Sequence, residues 1–370
     1  MNIAIDANIP GTADTFARHG KIQLIDGRHL QSAQLQDTQA LIVRSVTVVN
    51  SELLNGTAVE FVGSATIGTD HLDIPWLESQ GIRYASAPGC NADAAAQYTL
   101  AMILLACQRC GLALQDLHVG IVGHGNVGRG VLRLLTTIGV QQFSICDPPL
   151  ADAGGSGYRS LEQVANCDII SIHAPLTATG KYPTWRMVNA DFLDCTRNGA
   201  LLVNAARGDI ISGPAFLQWL RSGRGSAALD VYPGEPAIDP DLLEACIVAT
   251  PHVAGYSLDG KVHGTLAVYR QFCHWLRQEP GQPDLLGDLP GFNFGPQDFN
   301  SLSGAVLTAC PVERDDRDLR SLLALDRGVH AAFFDDLRKN YPPRRDFAGW
   351  KLPGGLPKEL IPPLKSLGFR

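Results

Sequence analysis

Three short apolar runs in the second half of the chain, 200–203, 227–229 and 247–249, each end in a polar loop. The loops read Asn204-Ala205-Ala206-Arg207-Gly208-Asp209, Asp230-Val231-Tyr232-Pro233-Gly234-Glu235-Pro236 and Thr250-Pro251-His252-Val253-Ala254-Gly255-Tyr256. As neighbouring parallel strands, these runs bring an arginine, a glutamate and a histidine to one sheet edge, where open α/β sheets bind ligands. That trio suits the oxidation of a 2-hydroxy acid. Arg207 can hold a carboxylate through two parallel hydrogen bonds. His252 brings an imidazole, the side chain suited to take a hydroxyl proton as hydride departs. Glu235 can orient the imidazole and stabilise its charged form. Taken singly, each has an ordinary reading: a surface charge, a satisfied polar group, a residue closing a turn. Their recurrence at consecutive strand ends is what carries the argument.

A hydride needs an acceptor, and Gly123-His124-Gly125-Asn126-Val127-Gly128 points to one. This G-x-G-x-x-G directly follows the apolar run 119–122 and opens an amphipathic stretch, 127–137, which is the strand–turn–helix context that dinucleotide binding requires. Gly123 permits the tight turn, Gly125 lets a pyrophosphate approach the backbone, and Gly128 lets helix and strand pack closely; Asn126 and Val127 begin the helix whose N-terminus faces the phosphates. Asp147 stands at the end of the next strand, 143–146, where it can accept hydrogen bonds from ribose hydroxyls and would repel a 2′-phosphate. NAD is therefore favoured over NADP.

The elements that must position these groups alternate along the whole chain. Candidate strands at 3–5, 23–25, 41–43, 61–63 and 83–85 precede a turn cluster, Pro88-Gly89-Cys90-Asn91, and a second series runs through 119–122, 143–146, 169–172, 200–203, 227–229 and 247–249. Such alternation specifies α/β architecture with parallel sheets covered by helices on both faces. A Pro-, Gly- and Asp-rich linker is expected around 280–296, then two short helices at 315–325 and 329–339, then a Pro- and Gly-rich tail after 342. The chain has 370 residues, 45% hydrophobic and 18% charged, with a formal net charge of −7. This describes a globular protein and argues against a nucleic-acid binder. The apolar stretch 98–114 is broken by Gln108 and Arg109, so a buried helix is expected rather than a membrane span. Met1 leads directly into an apparent strand, with no secretory segment, and nine scattered cysteines fit reduced thiols in the cytoplasm. Cys107 and Cys110 lie within the apolar helix without a second pair, so packing is expected there and no metal.

The glycine loop, His173-Ala174-Pro175-Leu176-Thr177, Asn204 to Gly208, Asp230 to Pro236 and Pro251-His252 together resemble the D-isomer-specific 2-hydroxyacid dehydrogenases. The resemblance implies two doubly wound parallel-sheet domains, a flavodoxin-like substrate domain and a Rossmann NAD domain, plus a small C-terminal α+β dimerisation domain. On this chain those are residues 1–92, completed by a returning helix in 257–280; residues 93–256; and residues 286–370.

Further segments, among them Val43-Arg44-Ser45-Val46-Thr47, Gly63 to His71, Cys146-Asp147-Pro148-Pro149 and Ala254 to Lys261, resemble the branch of the family that oxidises 4-phospho-D-erythronate in vitamin B6 synthesis. The segment Phe334 to Pro342 resembles that branch's dimerisation domain, which implies a homodimer. The implied roles are Arg207 and Glu235 in the active site, His252 as proton carrier, and Ser45, Thr66 and Tyr256 against substrate. Asp147, Ala174, Ala205, Ala206, Asp230 and Gly255 would line the NAD site. Ala174 departs from the threonine expected there, so its contact is through the backbone. The segment 280–310 matches poorly.

A C4 phosphate needs its own anion site, for which Arg44, beside Ser45 and near Thr66, supplies a cation. Arg344 and Arg345 are a second basic pair, able to reach a phosphate across a dimer. Two rivals remain: a relative acting on phosphoglycerate or glycerate, and a non-catalytic NAD-sensing corepressor on the same scaffold. The tail, lacking strand–helix alternation, argues against the first, and the complete Arg207, Glu235 and His252 set argues against the second.

Overall fold

The computed structural model describes residues 1–295 and 301–370, and the chain divides into two compact units. The first comprises Met1–Asn91 and Ser257–Pro290. Its strands are β1 (Asn2–Asp6), β2 (Lys21–Ile25), β3 (Ala40–Val43), β4 (Phe61–Ser64) and β5 (Arg83–Ala85). All pair in parallel, in the order β2-β1-β3-β4-β5, as a flavodoxin-like sheet requires. β3 and β4 are buried at every position, the sign of a parallel sheet covered on both faces. The helix Leu258–Trp275 returns to this sheet and buries Val268, Tyr269, Phe272 and Cys273 against Ile3, Ile5 and Phe61. Gly264 makes the approach possible, since a Cβ there would lie 2.5 Å from the carbonyl oxygen of Ala65.

The second unit comprises Ala92–Tyr256 and Gly291–Arg370. Its strands are β6 (His118–Val122), β7 (Gln142–Cys146), β8 (Ile169–Ile172), β9 (Ala200–Asn204), β10 (Gly225–Leu229) and β11 (Val248–Ala249). They form one parallel sheet in the order β11-β10-β9-β8-β6-β7. The direction of winding reverses between β6 and β8, which creates a crevice at their carboxyl ends. The helix Ala92–Cys110 is buried continuously from Ala94 to Cys107. That explains why it is apolar on all sides. No helix among the described residues is long and apolar enough to cross a membrane.

The tail departs from the sequence expectation. The helices lie at Val312–Arg320 and His330–Lys339, with a 3-10 turn over Ser321–Ala324. β12 (Phe292–Asn293) pairs in parallel with β13 (Trp350–Lys351), and a further helix spans Ile361–Leu367. Phe347, Leu364, Leu367 and Phe369 are buried in the same core as the helix Ala92–Cys110, so the Pro- and Gly-rich end is packed structure. Its apolar residues are too widely spaced to show a periodic signal. The expected linker, 280–296, ends at Pro296, which lies outside the described residues.

The tail also covers β11, the sheet's edge strand. Asp316, 3% exposed, accepts hydrogen bonds from the Ala249 backbone N–H at 2.7 Å, from Arg109 at 2.8 Å and from Arg320 at 3.0 Å. An uncovered strand edge is a site of mispairing, and this carboxylate occupies it. Asp316→Ala should destabilise the protein by about 3 kcal/mol, because it removes the carboxylate that neutralises two largely buried guanidiniums, leaving them only backbone carbonyls, and leaves the Ala249 N–H unpaired. The check is the denaturant midpoint, which should fall at unchanged m-value.

Candidate active site

The glycine loop lies at the crevice between β6 and β8. Gly123 has φ of +90°, open to glycine at little cost, and a Cβ there would sit 2.7 Å from the backbone nitrogen of Ala174. Gly128 abuts the carbonyl of Gly123, so any side chain would force the helix off the strand. Gly125 faces open space and N-caps the helix Asn126–Thr137 with no side-chain cap, which leaves the first helical amides for a ligand. An uncapped helix start behind a bare glycine backbone fits a pyrophosphate.

Asp147, partly exposed at the end of β7, accepts from the backbone N–H of His124 at 2.7 Å through one oxygen and from Leu150 N–H at 3.0 Å through the other. Each oxygen keeps a lone pair for a ribose hydroxyl. Asp147 thus also ties the glycine loop to β7, a role not apparent from its position in the sequence. The His124 ring sits 3.1 Å from the Tyr158 hydroxyl, and burial holds its pKa below the usual histidine value. Ala174 is buried, and its backbone closes the crevice opposite Gly123.

The arginine, glutamate and histidine follow three neighbouring strands. Glu235 Oε2 accepts from His252 Nδ1 at 2.6 Å, and its Oε1 accepts from the Tyr232 backbone N–H at 2.6 Å. Both carboxylate oxygens are therefore fixed. The pair is half-buried, the side chains being 17% and 30% exposed. His252 has φ of 55°, a left-handed conformation that is strained for a non-glycine residue and is held by the surrounding bonds. Those bonds come from Asp230, 1% exposed, which accepts from Thr250 Oγ1 at 2.7 Å, Val253 N–H at 2.9 Å and Ala254 N–H at 2.9 Å. Burial pushes the Asp230 carboxyl above the usual range, while His252 and the three donors pull it back.

Arg207 sits on a turn built by Asn204, which is fully buried. Asn204 Oδ1 accepts from the Ala206 N–H at 3.0 Å, and its Nδ2 donates to the Arg207 carbonyl at 2.9 Å. The adjoining Gly208 presses against the Tyr232 backbone, which brings the turn against the Glu235 loop. Asn204 was only part of a motif in the sequence; its preference for such turns was the available signal.

In the first unit, Arg44 follows β3 and donates through Nε to the buried Asp6 at 3.0 Å, with its side chain 30% exposed. Ser45 beside it is exposed. Thr66 Oγ1 is 2.8 Å from Ser64 Oγ, which in turn is 2.9 Å from His71 Nε2. These three candidates thus sit at carboxyl ends of adjacent strands. Tyr256, Ala205, Ala206 and Gly255 are partly exposed members of the second unit. The tail arginines are interior: Arg344 and Arg345 are 4% and 7% exposed, and the Arg344 guanidinium binds the carbonyls of Ala254 and Tyr256. Among the described residues no cluster of His, Cys, Asp or Glu could hold a metal ion.

His173, at the end of β8, shares a 2.8 Å hydrogen bond with Ser171 through Nε2, while its buried Nδ1 has no partner. Burial pushes its pKa down to about 4. With the folded pKa below that of the unfolded chain, the unfolded state binds the extra proton. Stability is complete above about pH 6.5 and falls by about 3 kcal/mol as pH drops to 4. Unfolding midpoints across this range should show that slope, and His173→Gln should flatten it.

Residues 103–254 match the sequence pattern of the D-isomer specific 2-hydroxyacid dehydrogenase NAD binding domain. Over 380 residues the chain is 40% identical to the erythronate-4-phosphate dehydrogenase of Hahella chejuensis, covering 100% of this chain and 99% of that one. The enzyme of the same name from Teredinibacter turnerae is 42% identical over 377 residues, covering 100% and 98%. The crystal structure of D-lactate dehydrogenase from Aquifex aeolicus, complexed with NAD and lactic acid, is similar in fold, with TM-score 0.64, 19% identity and coverage of 75% and 96%. The chain is an NAD-dependent oxidoreductase. It belongs to the erythronate-4-phosphate dehydrogenase family of the D-isomer-specific 2-hydroxyacid dehydrogenases.

Proposed function

We propose that the chain oxidises the C2 hydroxyl of 4-phospho-D-erythronate to 3-hydroxy-2-oxo-4-phosphooxybutanoate, a step of pyridoxal 5′-phosphate synthesis. The observation that carries the chemistry is the 2.6 Å bond between Glu235 and His252. The substrate follows from the full-length likeness to enzymes named for it.

Glu235 holds His252 by Nδ1, which leaves Nε2 to take the hydroxyl proton. The charge that develops on the imidazole is stabilised by the carboxylate already bonded to it. Arg207 binds the substrate carboxylate and fixes C2. NAD, when bound, accepts the hydride from C2. Asp147 selects it by receiving the ribose hydroxyls, and the helix Asn126–Thr137 receives its phosphates. Ala174, Ala205, Ala206, Asp230 and Gly255 line that cofactor site. Ser45, Thr66 and Tyr256 contact substrate, and Arg44, whose guanidinium is anchored on Asp6, receives the phosphate.

The chain works as a homodimer in the cytoplasm. Its free thiols and the exposed Leu323, Leu325 and Val329 of the C-terminal segment support that reading.

The test is NADH formation from matched 4-phosphoerythronate, 3-phosphoglycerate and glycerate. Preference for the first, with a loss of roughly 10²–10⁴-fold in His252→Ala, is expected for removal of a general base. Preference for another acid would discard the substrate but keep the chemistry. Absence of turnover on all three would discard both.

A further inference from the structure

The loop from Thr250 to Tyr256 is gripped from two sides. On one side Asp230 takes the N–H groups of Val253 and Ala254. On the other, Arg344 gives Nη2 to the carbonyl of Ala254 at 2.6 Å and Nε to the carbonyl of Tyr256 at 3.0 Å. Four backbone groups are thereby fixed within one to four residues of His252.

Arg344 is itself held. Its Nη1 donates to Cys310 Sγ at 3.4 Å, and its guanidinium carbon lies 5.0 Å from the centroid of the Tyr98 ring. The Tyr98 and Tyr341 hydroxyls both donate to Asp315 Oδ2, at 2.7 and 2.8 Å. Tyr341 also packs edge-on against Tyr256, with ring centroids 6.1 Å apart. The same C-terminal segment bonds Ala249, at the end of β11, through Asp316. It therefore holds both the strand and the loop that follows it.

A buried guanidinium is expensive to desolvate, and backbone carbonyls return less than a carboxylate would. The tail is also anchored by apolar packing, with Phe347, Leu364 and Phe369 buried in the core. A fork of donors is suited to something else: setting the spacing of two carbonyls on a loop that bears the proton carrier.

We propose that Arg344 is a positioning residue for the reaction, fixing from the C-terminal segment the loop that carries His252 and Tyr256. It touches neither substrate nor cofactor. The proposal rests on the proton-carrying role given to His252.

The experiment compares wild type, Arg344→Lys and Arg344→Met in the full chain, with whichever hydroxy acid the wild type turns over. It measures kcat, KM, NADH affinity by fluorescence and Tm. Displacing a catalytic group by about 1 Å costs roughly 10²-fold in rate, so the Met variant should lose kcat on that scale while NADH affinity falls far less. The Lys variant, which keeps the charge and can reach one carbonyl, should recover part of the loss.

A folded Met variant with full kcat overturns the proposal. So do parallel losses of kcat, NADH affinity and Tm in the Lys variant, which would mark a purely structural role. If Met fails to fold, the Lys variant decides on the same readouts; if neither folds, Arg344 serves stability and the proposal falls. Turnover that survives His252→Ala would instead overturn the reading beneath it. The two failures are thus distinguishable.

Discussion

A histidine and a glutamate from different loops meet at 2.6 Å, and much of the second unit is arranged to keep them there. Such a bond is useful only if neither partner drifts. Glu235 is fixed at its second oxygen by the Tyr232 amide, and His252 is held in a left-handed conformation by bonds on both flanks. The cost of that conformation, of order 1–3 kcal/mol, is sustainable because Asp230 binds three groups of the same loop. The parallel order of β9, β10 and β11 sets the spacing beneath.

The two units use the same device. In each, buried parallel strands end together, and the polar residues just beyond them are tied down by a neighbouring polar side chain. Asp6 serves Arg44, Asn204 serves the Arg207 turn, and the partly exposed Asp147 serves the glycine loop. Asp6 and Asn204 are interior and satisfied by backbone or by a partner, as burial demands. His173 Nδ1 is an exception, and burial keeps that imidazole neutral over the physiological range.

Much of this was legible in the sequence, for physical reasons. Parallel strands buried on both faces produce continuous apolar runs, and both series of strands appeared as such; their ends moved by only one or two residues. The glycine loop declared itself because its spacing serves backbone geometry. Glu235 and His252 could be paired because consecutive strand ends fall on one edge. The tail was not legible: its apolar residues come from a short strand pair, 3-10 turns and short helices, none long enough to show a period. The place of Arg344 was not legible for a related reason: a dibasic pair in a tail carries no signal of burial, and only the fold shows that Arg344 reaches backbone carbonyls 88 and 90 positions away.

The most direct measurement is the single-turnover rate of NADH formation in Glu235→Gln at saturating substrate and cofactor. A glutamine keeps the shape of the carboxylate but cannot stabilise an imidazolium. If the Glu235–His252 pair carries the proton, the rate should fall by roughly 10²–10⁴-fold with substrate affinity little changed. A rate equal to that of the wild type would contradict the account.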